Sequence, residues 1–149
     1  MDNKEVEEIG FQEEIYRQFG ESKLKPEQYS ALGLAYIGDA VYDLIIRTLV
    51  LSRGNYSVKS FHKMTSSIVK AEAQARLVEA IEPELTEEEC RIFHHGRNAK
   101  SGTSAKNASI IDYRIATGFE ALIGYLYLKE RMSRAIELVS IGLERTGQF

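Results

Sequence analysis

Two isolated acids within apolar segments are the residues of this chain best suited to chemistry. Asp39 lies in segment 35–42 and Glu120 in segment 116–124, so 81 residues separate them. A carboxylate that leaves water is costly unless a cation or a metal ion neutralises it. The predicted helices that contain these segments also have small residues that would let helices approach closely. These are Gly33 and Gly38 in the first helix and Gly118 and Gly124 in the second. We therefore expect two helices to cross here and the two acids to share a divalent cation.

The acid pair has two interpretations that the spacing alone does not separate. In the first, the carboxylates bind Mg²⁺, which prefers oxygen ligands, and the ion activates a water molecule beside a phosphate. In the second, the acids are structural and are neutralised by backbone donors or by a partner such as Arg114. Asp43 lies one helical turn after Asp39, and we expect it to face solvent or to pair with Arg47.

A basic segment is the second candidate for chemistry. Residues 91–107 contain four bases and no acid, and residues 96–103 lack a hydrophobic period, which predicts an exposed loop. Such a loop can bind a phosphodiester backbone through cationic side chains and main-chain amides, or it can be an ordinary surface loop. The candidate phosphate-binding residues are Arg97, Asn98, Lys100, Ser101 and Lys106.

Helices must position these residues, because apolar side chains recur at helical spacing along nearly the whole chain. No segment alternates convincingly as a strand would. The predicted helices cover residues 5–18, 27–52, 57–81 with a break near 68–70, 86–95, 109–129 and a last segment capped by Ser133, and Ser57 and Thr86 are further predicted N-caps. This pattern predicts one all-α domain at residues 26–149, preceded by an acidic helix or arm at residues 1–25.

Composition limits the class of protein. The single Cys90 excludes an internal disulfide, and no apolar run approaches the roughly 18 residues of a membrane span. No secretory signal is visible, so we expect a cytoplasmic protein without a membrane partner. The net charge of −3 argues against general nucleic-acid binding, yet residues 1–30 carry −4 and residues 91–107 carry +4. Two interpretations fit this pattern. The protein could have one side that faces phosphates, or its helices could simply have charged faces in contact with solvent.

Five ordered segments resemble the nuclease domain of the ribonuclease III family. Residues 36–41, Tyr-Ile-Gly-Asp-Ala-Val, resemble the signature helix of that family, and residues 119–128 resemble its second acidic motif. The match is closer to the Mini-ribonuclease III subgroup, whose members have the nuclease domain without a double-stranded RNA-binding domain. Further segments that fit this subgroup are 34–40, His62 with Ile68-Val69 and Gln74-Ala75, and 96–103.

The resemblance implies a Mg²⁺-dependent endoribonuclease, with Mn²⁺ as a substitute, that cleaves double-stranded RNA as a two-fold homodimer. Cleavage by this family leaves 5′-phosphate and 3′-hydroxyl ends. Asp39 carries over as the essential metal-binding, catalytic acid, and Glu120 carries over as its partner. The subgroup further implies maturation of precursor 23S ribosomal RNA at its terminal stem, with RNA shape or a ribosomal-protein helper aiding substrate choice.

Two departures from the larger enzymes of this family keep a second function open. Those enzymes have a glutamate where this chain has Ala35 and an aspartate where it has Thr117. Fewer acids leave the number of bound metal ions undetermined. The alternative function is a non-catalytic RNA-binding module of the same fold that acts in ribosome assembly.

Overall fold

A computed structural model of the chain describes residues 8–99 and 109–149. These residues form seven α-helices and two short 3₁₀ turns and contain no β-strand, which confirms the predicted all-α fold. The helices are α1 (Phe11–Phe19), α2 (Ala31–Leu51), α3 (Val58–Val69), α4 (Ala71–Ile81), α5 (Glu87–Asn98), α6 (Ile110–Leu128) and α7 (Met132–Thr146). The 3₁₀ turns, Pro26–Gln28 and Glu82–Glu84, precede α2 and α5. Within the described ranges no helix is both long and apolar enough to cross a bilayer.

Hydroxyl side chains define where several helices begin. Ser57 and Thr86 cap α3 and α5 as predicted, since each accepts a hydrogen bond from a backbone amide of the first turn. Ser30 caps α2, and its extended backbone separates this helix from the 3₁₀ turn, so the continuous helix predicted from residue 27 is wrong. Ser133 does not cap α7, which already begins at Met132.

The last turn of α5 differs from the prediction. This helix continues to Asn98 rather than ending near His95, so Arg97 is helical and the exposed loop predicted from Gly96 does not begin there. Gly96 is buried, and a Cβ atom at this position would lie 2.7 Å from the Cβ atom of Ala121 on α6. Close packing against α6 therefore keeps the end of α5 helical, although the sequence has no apolar period there.

Helix α6 is the centre of the core, and α2, α4, α5 and α7 pack around it. Every side chain from Ala116 to Leu126 is buried except that of Glu120, which is half-buried. A helix that is apolar on all sides is typical of such a central position. Its first turn lies outside the core, which begins at Ile115. Helical spacing with Ile115 and Phe119 predicts that Ile111 points inward, but its side chain is 71% exposed.

The backbones of α2 and α6 touch where the sequence predicts a close crossing. A Cβ atom on Gly38 would lie 1.6 Å from the carbonyl oxygen of Glu120, and one on Gly124 would lie 2.0 Å from the carbonyl oxygen of Leu34. Neither position can accept a side chain without separating the helices. The two glycines therefore set the distance between α2 and α6.

The other two glycines of the expected set have different roles. Gly118 faces α5, where a Cβ atom would lie 2.6 Å from the carbonyl oxygen of Phe93. Gly33 lies in the first turn of α2, and the nearest atom to a Cβ there is the Ser30 hydroxyl oxygen at 3.1 Å. Only Gly38 and Gly124 thus make the predicted contact between α2 and α6.

Replacing Gly38 with alanine tests this crossing. Overpacking a core costs about 1–3 kcal/mol when side chains can adjust, and here the methyl group meets backbone. We expect Gly38→Ala to lower the free energy of unfolding by about 3 kcal/mol or more. Gly10→Ala is the matched control, because a Cβ atom there meets nothing within 4 Å. Urea denaturation measures both, and wild-type stability of Gly38→Ala would contradict the crossing.

Candidate active site

The carboxyl groups of Asp39 and Glu120 lie within hydrogen-bond distance of each other across the α2–α6 crossing. Asp39 directly follows Gly38, and Glu120 supplies the carbonyl oxygen that approaches Gly38. Asp39 is exposed and Glu120 is half-buried. The pair therefore presents one carboxyl group to solvent and holds the other within the protein. The crossing brings together the two acids that we expected to meet.

The position of Glu120 makes its carboxyl group difficult to ionise. Burial, the negative charge of Asp39 and the hydrogen bond between the two acids raise the pKa of Glu120 to about 8, and the Gln74 amide opposes this shift. No described cationic side chain forms an ion pair with either acid. Arg114, the structural partner considered from the sequence, is exposed. Two adjacent carboxyl groups without a protein cation fit a divalent metal ion.

The donor set is small, because the described residues form no group of three or more metal-binding side chains. Two carboxylates suit a hard, hydrated cation that keeps several of its water ligands. Asp43 pairs with Arg47 at 2.6 Å, which is one of the two outcomes expected for it. Thr117 donates its hydroxyl to the carbonyl oxygen of Tyr113 within α6, and Ala35 is buried. Neither position supplies a further acid.

Two buried polar residues beside Glu120 are not singled out by the sequence analysis as site residues. Gln74 on α4 is 3% exposed, and its amide lies within hydrogen-bond reach of the Glu120 carboxyl group. Tyr42 on α2 is 1% exposed, and its hydroxyl has no hydrogen-bond partner in the described part of the chain. Burial and the charge of Glu120 raise the pKa of that hydroxyl. Both residues are polar and occupy helical positions whose spacing predicts burial in the core. This is the sequence signal that would identify them.

The C-terminal end of α5 holds two of the candidate phosphate-binding residues. Arg97 is half-buried and Asn98 is exposed. The preceding Gly96 packs against Gly118, which lies two residues before Glu120 on α6. The end of α5 therefore approaches α6 close to the acid pair. The other candidates, Lys100, Ser101 and Lys106, lie outside the described residues.

A row of exposed basic and hydroxyl side chains follows α3, and the sequence analysis does not single it out. This α3 basic row consists of Lys59, His62, Lys63, Ser66, Ser67 and Lys70. Helical spacing places them on one side of α3, over a length of about 17 Å. No acid occurs between residues 57 and 71. The row ends beside the acid pair, because the Gln74 amide donates to the carbonyl oxygen of Val69 and also reaches Glu120.

Comparisons with known proteins show which proteins this chain resembles. The family described as the Ribonuclease III domain matches residues 32–131. The Mini-ribonuclease 3 of Clostridium tetani is 50% identical over 82% of this chain and 83% of its own length. The Mini-ribonuclease 3 of Enterococcus faecalis is 44% identical over 82% of this chain and 94% of its own length. A crystal structure of a protein from Fusobacterium nucleatum superimposes with a TM-score of 0.74 at 30% identity, over 83% of this chain and 99% of that chain.

The raised pKa of Glu120 predicts how the stability of the metal-free protein depends on pH. A group whose pKa is higher when folded stabilises the protein fully below its unfolded pKa, near 4.5, and loses this effect as pH rises through its folded pKa, near 8. We therefore expect the Tm of the metal-free protein to decrease as the pH rises from about 4.5 to about 8. Glu120→Gln should flatten this part of the profile, whereas the exposed-acid control Glu79→Gln should not.

Thermal denaturation in the presence of EDTA across this pH range measures the effect. Adding a divalent cation above pH 8 should raise the Tm of the wild-type protein, because a ligand that binds only the folded state stabilises it. Identical pH profiles for wild type and Glu120→Gln would contradict the described environment of this carboxyl group.

Proposed function

The chain belongs to the ribonuclease III family and is a double-strand-specific endoribonuclease, and from this premise we propose that Asp39 and Glu120 hold its catalytic metal ion. The observation that carries the proposal is the pairing of two carboxyl groups at one helix crossing. No described cationic side chain neutralises this pair. Enzymes of the family generally depend on divalent metal ions, and the pair supplies the oxygen ligands that such ions prefer.

Mg²⁺ is the proposed ion, with Mn²⁺ as a substitute, because carboxylate and water ligands suit both. When bound, the ion supplies charge neutralisation at the phosphate and a water molecule of lowered pKa. Asp39, exposed at the surface, can meet both the ion and the RNA. Glu120 holds its position because the surrounding residues of α6 are buried. Hydrolysis of the phosphodiester leaves 5′-phosphate and 3′-hydroxyl ends.

The proposed RNA-binding surface combines the α3 basic row with the end of α5. Double-stranded RNA is recognised mainly through its shape, its phosphates and its 2′-hydroxyl groups. The lysines of the row and Arg97 supply cationic donors beside the acid pair. Both elements approach the acids, α3 through the Gln74 amide and α5 through its packing on α6. We also propose that Asn98, Lys100, Ser101 and Lys106 contact the phosphodiester backbone of the RNA.

A two-fold homodimer, the typical assembly of the family, is proposed to form through an apolar ridge on α2. This α2 ridge consists of Leu32, Tyr36 and Leu44, which are exposed and lie within a sector of about 120° around the helix. Tyr36 is 82% exposed and lines the same shallow surface pocket as Asp39. An apolar row of this kind marks an interaction surface. Pairing through it would present two acid pairs to one duplex, one for each strand.

Precursor 23S ribosomal RNA, cut at its terminal stem in the cytoplasm, is the proposed biological substrate. The support is similarity to the curated Mini-ribonuclease 3 proteins together with the motifs of that subgroup. A ribosomal-protein helper is the proposed aid to substrate choice. The acidic arm at residues 1–25 offers it a surface, because residues 1–30 carry a net charge of −4 and α1 exposes Phe11 and Phe19.

Removing either acid should stop cleavage while leaving the RNA-binding surface intact. We expect Asp39→Asn and Glu120→Gln each to lower the cleavage rate by more than about a hundredfold, because even outer-shell partners of metal ligands cost up to that factor. Affinity for the duplex should stay within a few-fold. A labelled RNA duplex incubated with Mg²⁺ or with EDTA measures cleavage, and Glu79→Gln is the control.

Two outcomes would contradict the proposed site. Cleavage by Asp39→Asn at the wild-type rate would show that the Asp39 carboxylate has no role in the reaction. Cleavage by the wild-type protein at an undiminished rate in EDTA would show that the reaction does not need a metal ion.

Neutralising the α3 basic row should weaken binding and flatten its salt dependence. Each phosphate contact contributes about 0.9 to the slope of log K against log salt, so Lys59→Gln with Lys63→Gln should lower the slope by about 2. Arg97→Gln with Lys100→Gln should act in the same direction. Lys23→Gln, in the acidic arm, is the control. Fluorescence anisotropy across salt concentrations measures the slope. An unchanged slope in the variant would show that Lys59 and Lys63 do not contact RNA phosphates.

A charge placed on the α2 ridge should prevent dimer formation. We expect Tyr36→Glu to sediment as a monomer, because burying an unpaired carboxylate in an apolar interface is costly. Tyr56→Glu is the control, since Tyr56 is also exposed but lies outside the ridge. Sedimentation velocity measures both variants and the wild type. A dimer that persists in Tyr36→Glu would exclude the ridge as the interface.

A further inference from the structure

Gln74 is a buried polar side chain that joins three helices at the acid pair. It lies near the start of α4 and is 3% exposed. Its amide nitrogen donates a hydrogen bond of 2.8 Å to the carbonyl oxygen of Val69, the last residue of α3. Its amide also lies within hydrogen-bond reach of the Glu120 carboxyl group on α6.

The amide nitrogen of Gln74 has enough donors for both of its oxygen neighbours. An amide nitrogen has two protons, so Gln74 can donate one to Val69 and the second to Glu120. The amide oxygen is buried and accepts no hydrogen bond from the described residues.

We propose that Gln74 is a positioning residue that orients the Glu120 carboxylate toward the metal ion. The Val69 carbonyl holds the amide in one orientation, and the amide in turn holds one oxygen of Glu120. Partners of this kind orient metal ligands and raise the affinity for the ion. This inference rests on the proposed metal-binding role of Asp39 and Glu120 and assigns the residue that makes Glu120 an effective ligand.

A second glutamine of the same chain separates positioning from ordinary structural bonding. Gln148 donates its amide nitrogen to the carbonyl oxygen of Ala73 on α4 at 3.0 Å. Its amide oxygen is also buried without a partner among the described residues. Gln148 therefore makes the same kind of side-chain bond to a neighbouring carbonyl. Gln74 lies within reach of the Glu120 carboxyl group, whereas the hydrogen bond that Gln148 donates is to Ala73.

The experiment compares Gln74→Met with Gln148→Met in full-length protein. Methionine has nearly the volume of glutamine but cannot donate a hydrogen bond, so the packing is largely preserved. Binding of Mn²⁺ to RNA-free protein, measured from the electron paramagnetic resonance signal of free Mn²⁺, should weaken about 10- to 100-fold in Gln74→Met. It should stay within twofold of wild type in Gln148→Met. The Mg²⁺ concentration that half-activates cleavage should rise in parallel, while kcat at saturating Mg²⁺ should recover to within a few-fold.

Wild-type affinity for Mn²⁺ in a folded Gln74→Met protein would overturn the inference. If this variant does not fold, the test uses the wild-type protein. The side-chain amide NMR resonances of Gln74 and Gln148 are then followed during a titration with Mg²⁺. The Gln74 resonance should shift while that of Gln148 stays constant, and an unshifted Gln74 resonance would overturn the inference. Failure of the proposed function is distinguishable, because wild type and Asp39→Asn would then bind Mn²⁺ equally.

Discussion

The contact between the backbones of α2 and α6 is the constraint on which the acid pair depends. Gly38 and Gly124 lie in this contact, and a Cβ atom on either would collide with a backbone carbonyl of the other helix. Asp39 and Glu120 are next to the contact, so their carboxyl groups stay together as long as the helices stay packed. The site is therefore a property of helix packing rather than of a loop.

The acid pair is an unfavourable arrangement that the surrounding core stabilises. The raised pKa of Glu120 shows that the folded protein disfavours its negative charge. The flanking Phe119 and Ala121 are fully buried. The rings of Phe119 and Tyr42 pack edge to face, with their centroids 5.0 Å apart. Each large apolar side chain buried in this way contributes about 1.5–3 kcal/mol. A well-packed central helix can therefore hold the two carboxyl groups together, with a proton on Glu120 below its raised pKa.

The features that could be predicted from the sequence are those with a local or strongly periodic cause. The caps at Ser57 and Thr86 depend on a few neighbouring residues, and the α2–α6 contact depends on glycines in apolar helical segments. The helical end of α5 could not be predicted, because Gly96 is kept in the helix by α6. Gln74 was missed as a site residue for a similar reason, since its role arises only where α3, α4 and α6 meet.

The most direct test of this account is the anomalous diffraction from Mn²⁺ in crystals of the wild-type protein. We expect one strong peak within ligand distance of a carboxylate oxygen from Asp39 and one from Glu120. The absence of a peak at this crossing, with a strong peak elsewhere or carboxyl groups that point apart, would contradict the claim that two packed helices build the catalytic metal site.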